Sequence, residues 1–143
     1  MPIQKILVPV DGSEPALRAL NFAVEVATAM GASLELVTVL DLGQLDFYDG
    51  MYRTIEQIES WQEEIRSDIL MRALDTLPDD RPPTTTTMLK GAAVKALLAH
   101  INDSEPDMVV MGRTGRSAVN RILHGSVSSR ISAASPVPVT LVG

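Results

Sequence analysis

The chain has 143 residues, 45% apolar and 21% charged, the size and mixture of one domain over residues 1–143 rather than of a disordered or fibrous segment. It contains no cysteine, which excludes disulfide scaffolds, thiolate metal centres and cysteine nucleophiles. A net charge of −6 disfavours binding to nucleic acid polymers, which calls for a cationic face.

The N-terminal MPIQKILVPVDGSE runs straight into a strand pattern, and no apolar run approaches the ~20 residues that span a bilayer. Neither export nor membrane insertion is expected, and the expected compartment is cytoplasmic. Charge is unevenly spread. Met108 to Gly143 holds four arginines (Arg113, Arg116, Arg121, Arg130) and no acid, leaving eight bases and eighteen acids, −10, for residues 1–107.

Ile3 to Val10 reads as a strand buried on both faces, because Ile6, Leu7 and Val8 are consecutive. Asp11-Gly12-Ser13 ends it. Pro15 suits the first turn of a helix whose Leu17, Leu20, Val24 and Ala27 repeat at helical spacing to Met30, with Gly31 as its stop. Ser33 to Leu40 is a second strand, and the intervening helix requires a parallel crossover.

Asp41 to Tyr52 has no apolar period and reads as a loop whose role the sequence does not disclose. Thr54 to Leu77 reads as a helix with Ile55, Ile58, Ile65 and Ile69 on one stripe, extended by Leu70, Leu74 and Leu77, and with Glu56, Glu59, Glu63, Glu64 and Asp68 facing water. Eleven acids against four bases between Asp41 and Pro83 fit a solvated face. Trp61, within this helix, could cap the margin of the core or anchor a partner.

Thr84 to Leu89 is a polar, β-branched strand suited to an edge. Gly91 to Asn102 is a short helix with Val94, Leu97, Leu98 and Ile101 inward and His100 at its end facing solvent. Met108 to Met111 is a second doubly buried run. Val137 to Val142 contains Pro138 and therefore belongs at an edge.

Five strands alternating with helices give an α/β fold, a doubly wound, open, parallel five-stranded sheet of Rossmann-like type with helices on both faces. The two doubly buried strands should be central neighbours. The crossover direction then reverses between them, opening a crevice at their carboxyl ends beside Asp11 and Gly112, where such sheets take ligands.

The fourth strand runs into MGRTGRSAVNRILHGSVSSR. Gly112 and Gly115 allow a tight turn and close backbone approach to a ligand. Gly125-Ser126 opens a helix to about Ala134, whose first N–H groups lack intrahelical partners and suit phosphate oxygens. Ser126 can cap that helix or donate its hydroxyl to a phosphate, and Arg113 and Arg116 add positive charge. No P-loop lysine pattern and no Gly-x-Gly-x-x-Gly occurs. The alternative is a loop with an ordinary cap. Asp11 could likewise accept a hydrogen bond from adenine or ribose, or only start a turn. His124 reads as structural rather than catalytic, and no metal site is recognisable.

Gly112-x2-Gly115-x9-Gly125-Ser126 is similar to the signature of the nucleotide-binding branch of the universal stress proteins. The opening Val8-Pro9-Val10-Asp11-Gly12-Ser13 and the closing Pro136-Val137-Pro138-Val139 also resemble that family's first and last strands. The resemblance implies ATP, with adenine near Asp11 and the backbone of Val39 at the end of Pro9-Val10. Ribose and phosphates would lie along Met111, Gly112, Arg113, Gly115, Gly125, Ser126 and Val127. Any Mg²⁺ would be held chiefly by the phosphates. It further implies a homodimer through residues 137–142 and a role in stress regulation rather than turnover, with at most weak ATP hydrolysis. The residues are also compatible with two alternatives, a slow ATPase or phosphotransfer enzyme and a nucleotide-free interaction module.

Overall fold

Ile6, Leu7 and Val8 are each fully buried, which only a strand covered on both faces allows. They form the centre of β1 (Lys5–Pro9) in a computed structural model that describes residues 2–41, 54–113 and 126–143. Helix α1 (Glu14–Met30) starts where the Ser13 side chain accepts the Ala16 N–H, with Pro15 in its first turn, and stops at Gly31, left-handed at φ 69°. There follow β2 (Ser33–Leu40) and α2 (Ile55–Ile65). The latter continues through a π-helical stretch (Arg66–Met71) into α3 (Arg72–Asp75). Next come β3 (Thr84–Lys90), α4 (Ala93–Ser104), β4 (Met108–Gly112), α5 (Ser126–Ala134) and β5 (Val139–Val142).

The strands form one sheet in the order β3-β2-β1-β4-β5, with every pair parallel. Alternation along each strand sorts the core into two layers. Ile6, Val8, Leu36 and Val110 pack with Leu20 of α1 and Leu70 of the π-helical stretch, while Leu7, Val37 and Val109 pack with Leu97 and Ile101 of α4 and Ile131 of α5. Burying each such aliphatic side chain contributes about 2 kcal/mol. The doubly wound α/β expectation therefore holds, with β1 and β4 adjacent and β3 and β5 at the edges.

Three details differ from the sequence reading. The first and last strands are shorter than expected. β5 starts at Val139, because Pro138 has no N–H to donate, although its carbonyl still accepts the Val109 N–H at 2.9 Å.

The acidic helix departs more. Ile55 is 75% exposed among the described residues, whereas Ile69, Leu70, Ala73 and Leu77 are buried. Only the C-terminal half of this helical run lies against the sheet, so the apolar stripe begins several turns later than its periodicity implies. Ile69 and Leu70, consecutive in the π-helical stretch, are both buried.

His100 is the third. It does not face solvent but turns towards the buried Glu35, its Nε2 lying 3.0 Å from Oε2.

At the amino ends of the strands, Asp107 closes the β1–β4 seam. Its Oδ2 accepts the N–H groups of Gln4 and Lys5 at 2.8 and 3.0 Å, and its own N–H donates to the Lys5 carbonyl at 2.9 Å. Among the described residues, no helix is long and apolar enough to cross a membrane.

Candidate functional site

From β1 the chain winds outward through β2 to β3, and from β4 it winds the other way to β5. The two directions part between β1 and β4, and it is at the carboxyl ends of two such strands that a sheet of this topology opens a crevice. Pro9, the last residue of β1, is half-buried and Val10 is buried. The Val10 N–H donates to the Val37 carbonyl at 2.8 Å and prolongs the ladder by one residue. Asp11 then meets the turn that leads into α1, its Oδ1 accepting the Ser13 N–H at 3.0 Å. This carboxylate is thus part of the turn's own architecture, and it stands at the crevice mouth.

The register between β1 and β2 ends at Pro9↔Val37, whereas β2 runs on to Leu40. Peptide groups of alternate residues in a strand face the same side. Because the Val37 carbonyl faces β1, Val39 presents the next peptide edge to the crevice beyond the end of β1. Its side chain packs with the layer beneath α4 and α5.

On the β4 side, Met111 is buried in that same layer. Gly112 sits against the first turn of α1. A Cβ built on it would lie 2.8 Å from the Pro15 carbonyl carbon and 3.0 Å from both Ala16 N and Pro15 Cβ. The missing side chain therefore admits α1, a requirement separate from any approach of a ligand.

Arg113 is exposed, with its peptide held on both sides. Its N–H donates to the Val142 carbonyl at 2.8 Å, and its carbonyl accepts from Ser128 Oγ at 2.7 Å. Ser126 is the first residue of α5, and Val127 after it is half-buried. Gly115, Arg116, Arg121, His124 and Gly125 lie outside the described residues. The structure thus brings Pro9, Val10, Asp11, Val39, Met111, Gly112, Arg113 and the first turn of α5 to one end of the sheet.

Two polar features escaped the sequence reading. Ser128 is buried at 6% exposure, and its only sequence signal is its place two residues after Ser126. Glu35 is also 6% exposed, at the opposite, amino end of β2. Its Oε2 accepts from Thr87 Oγ1 at 2.6 Å and from His100 at 3.0 Å, which requires the imidazole proton on Nε2. Its Oε1 is shielded from solvent and makes no hydrogen bond among the described residues, with Lys5 Nζ 3.5 Å away. Burial alone would raise the carboxyl pKa. The Thr87 and His100 hydrogen bonds and the charges of His100 and Lys5 outweigh it, so Glu35 lies below its ordinary value. The signal was a glutamate inside an otherwise apolar strand.

Comparison with known proteins agrees with this architecture. The universal stress protein from the QAH/OAS sulfhydrylase 3′ region of Thermus aquaticus is 32% identical over 142 residues, spanning 96% of each chain. The structure of hypothetical protein MJ0577 superposes with a TM-score of 0.80 at 23% identity over 99% of this chain and 96% of its own. A universal stress protein solved in complex with cAMP is 26% identical, with a TM-score of 0.64, over 100% of this chain and 98% of its own. The profile of the Universal stress protein family matches residues 2–143, and the chain belongs to that family.

Proposed function

We propose that this protein binds ATP in the crevice between the ends of β1 and β4 and acts as a dimeric, nucleotide-responsive regulatory module. The observation that carries the reading is the uninterrupted Gly112-x2-Gly115-x9-Gly125-Ser126 spacing leading from the end of β4 to the first turn of α5, a helix start being the kind of place that suits phosphate oxygens. The relative solved with cAMP supports an adenine nucleotide as the ligand class. In this reading Asp11 and the Val39 backbone receive the adenine at the end of Pro9-Val10. Met111, Gly112, Arg113, Gly115, Gly125, Ser126 and Val127 follow the ribose and phosphates.

The acid-free segment from Met108 onward supplies a positive local field to a polyphosphate despite the net charge of −6, because only charge within a Debye length of the site acts strongly on it. Magnesium fits as a companion of the phosphates. The phosphates themselves would furnish most of its ligands.

Titration of the purified protein with ATP tests the reading, with Asp11→Asn beside it. Asparagine keeps an oxygen for the Ser13 N–H and should leave thermal stability unchanged, while losing the charge should weaken ATP binding by about tenfold. Absence of any ATP affinity in the wild type would sink the proposal. Turnover lost in Ser126→Ala or His124→Ala would replace it with the enzymatic reading.

Dimerisation would use the outer edge of β5, which pairs with no strand among the described residues and so invites a second copy. Sedimentation equilibrium at micromolar concentration should give twice the 15.4 kDa chain mass, and a single-chain mass would count against it.

A further inference from the structure

We infer that Ser128 is a positioning residue that fixes the first turn of α5 against the end of β4 and thereby sets the crevice's affinity for phosphate. The inference rests on the nucleotide reading above and assigns the phosphate-specific part of it to one hydroxyl.

Serines within helices commonly return their hydroxyl to a carbonyl three or four residues back. Ser132 Oγ does this to Ser129 O at 3.0 Å, and Ser104 Oγ to His100 O at 2.7 Å. Ser128 instead reaches out of its helix to the Arg113 carbonyl, 15 residues away in sequence, at 2.7 Å. It does so from a residue only 6% exposed, where water competes poorly for the hydroxyl.

The acceptor is itself immobilised. The Arg113 N–H is bound to Val142 O at 2.8 Å, in step with the Gly112↔Val142 register of the β4–β5 ladder. Gly112 just before it leaves no room for a Cβ against Pro15 and Ala16. One end of the contact is therefore anchored to the sheet and to α1, and the other is the third residue of α5.

Signature residues lie close to both partners, with Gly112 immediately before Arg113 and Ser126 two residues before Ser128. A phosphate touching groups from both ends needs their separation held to a fraction of an ångström, and the Ser128 bond supplies that constraint. Without it, α5 remains attached to the core through Val127 and Ile131, but the direct tie between its first turn and the end of β4 is lost. Adenine contacts made by β1 and β2 would be unaffected.

The test compares wild type, Ser128→Ala and Ser128→Thr by calorimetric titration with ATP, AMP and adenosine, together with amide hydrogen exchange of the ligand-free proteins. Wild type should bind ATP and AMP more tightly than adenosine. In Ser128→Ala the affinity for ATP and AMP should fall by about tenfold with adenosine unchanged, and exchange at residues 127–129 should accelerate. Ser128→Thr, which keeps the hydroxyl, should restore both. If Ser128→Ala does not fold, Ser128→Cys, of similar size and a weaker donor, takes its place.

Equal weakening of all three ligands, no weakening of any, or unchanged exchange overturns the inference. Failure of wild type to bind all three ligands overturns the nucleotide reading instead. The exchange data then still decide whether Ser128 holds the α5 turn.

Discussion

Gly112→Ala is expected to lower the thermal midpoint and to abolish measurable nucleotide binding together. The added Cβ would stand 2.8 Å from the Pro15 carbonyl carbon and 3.0 Å from Ala16 N. Those atoms are backbone in the first turn of α1, so they cannot rotate aside as the tip of a flexible side chain could. Overpacking of this kind costs about 2 kcal/mol, which lowers the midpoint by roughly 6 °C in a chain of this size. Relief requires α1 to move away from β4, carrying with it the Asp11–Ser13 turn on the opposite crevice wall. Both walls are then displaced by one methyl group.

Gly31→Ala is the control. Its site has open space around the position of a Cβ but φ +69°, so strain at the left-handed cap costs about 1 kcal/mol and leaves the crevice untouched. Gly31→Ala should bind ATP as wild type does. An unchanged midpoint in Gly112→Ala would show that α1 yields to the methyl without cost and would remove this account of the glycine.

His100→Leu is expected to destabilise the fold by about 2 kcal/mol near neutral pH without touching the crevice. It removes one of the two hydrogen bonds to Glu35 Oε2, leaving Thr87, and the buried carboxylate cannot recover the loss from solvent. The Lys5 ammonium at 3.5 Å is 36% exposed, and its contribution is reduced by screening.

The same carboxylate predicts an acid dependence. Its pKa in the folded protein lies below the ordinary 4.5, so the unfolded chain binds the proton more readily. The stabilisation is complete above pH 4.5 and is lost as pH falls through the folded value. Glu35→Gln, which cannot titrate, should flatten the acid limb of the wild-type stability curve. Urea unfolding of the two proteins between pH 3 and pH 7 measures the difference, and parallel curves would show that Glu35 does not contribute to acid unfolding.

Much of the fold was legible because side-chain direction follows local geometry. Two strands with consecutive apolar residues had to be central, the threonine-rich strand and the short strand after Pro138 lie at the edges, and the expected crevice followed from that order. Within the acidic helix the same reasoning assigned Ile55 to the buried stripe. Periodicity identifies which face of a helix is apolar but not how many of its turns reach the sheet.

For the candidate site, spacing located Asp11, Gly112 and Ser126 at the correct ends of their elements. It did not separate the two reasons for a glycine at 112. The one that the structure displays is the approach of α1, a neighbour nearly 100 residues earlier in the chain.

Composition and hydrophobic period were sufficient for the class of fold and for which strands lie at the centre and at the edges of the sheet, since each rests on patterns among residues close together in sequence. The contacts between Glu35, Thr87 and His100, between Gly112 and Pro15, and between Ser128 and Arg113 emerged from packing alone. They join residues 15 to 97 positions apart, and such meetings depend on strand register and helix placement, to which all the intervening residues contribute.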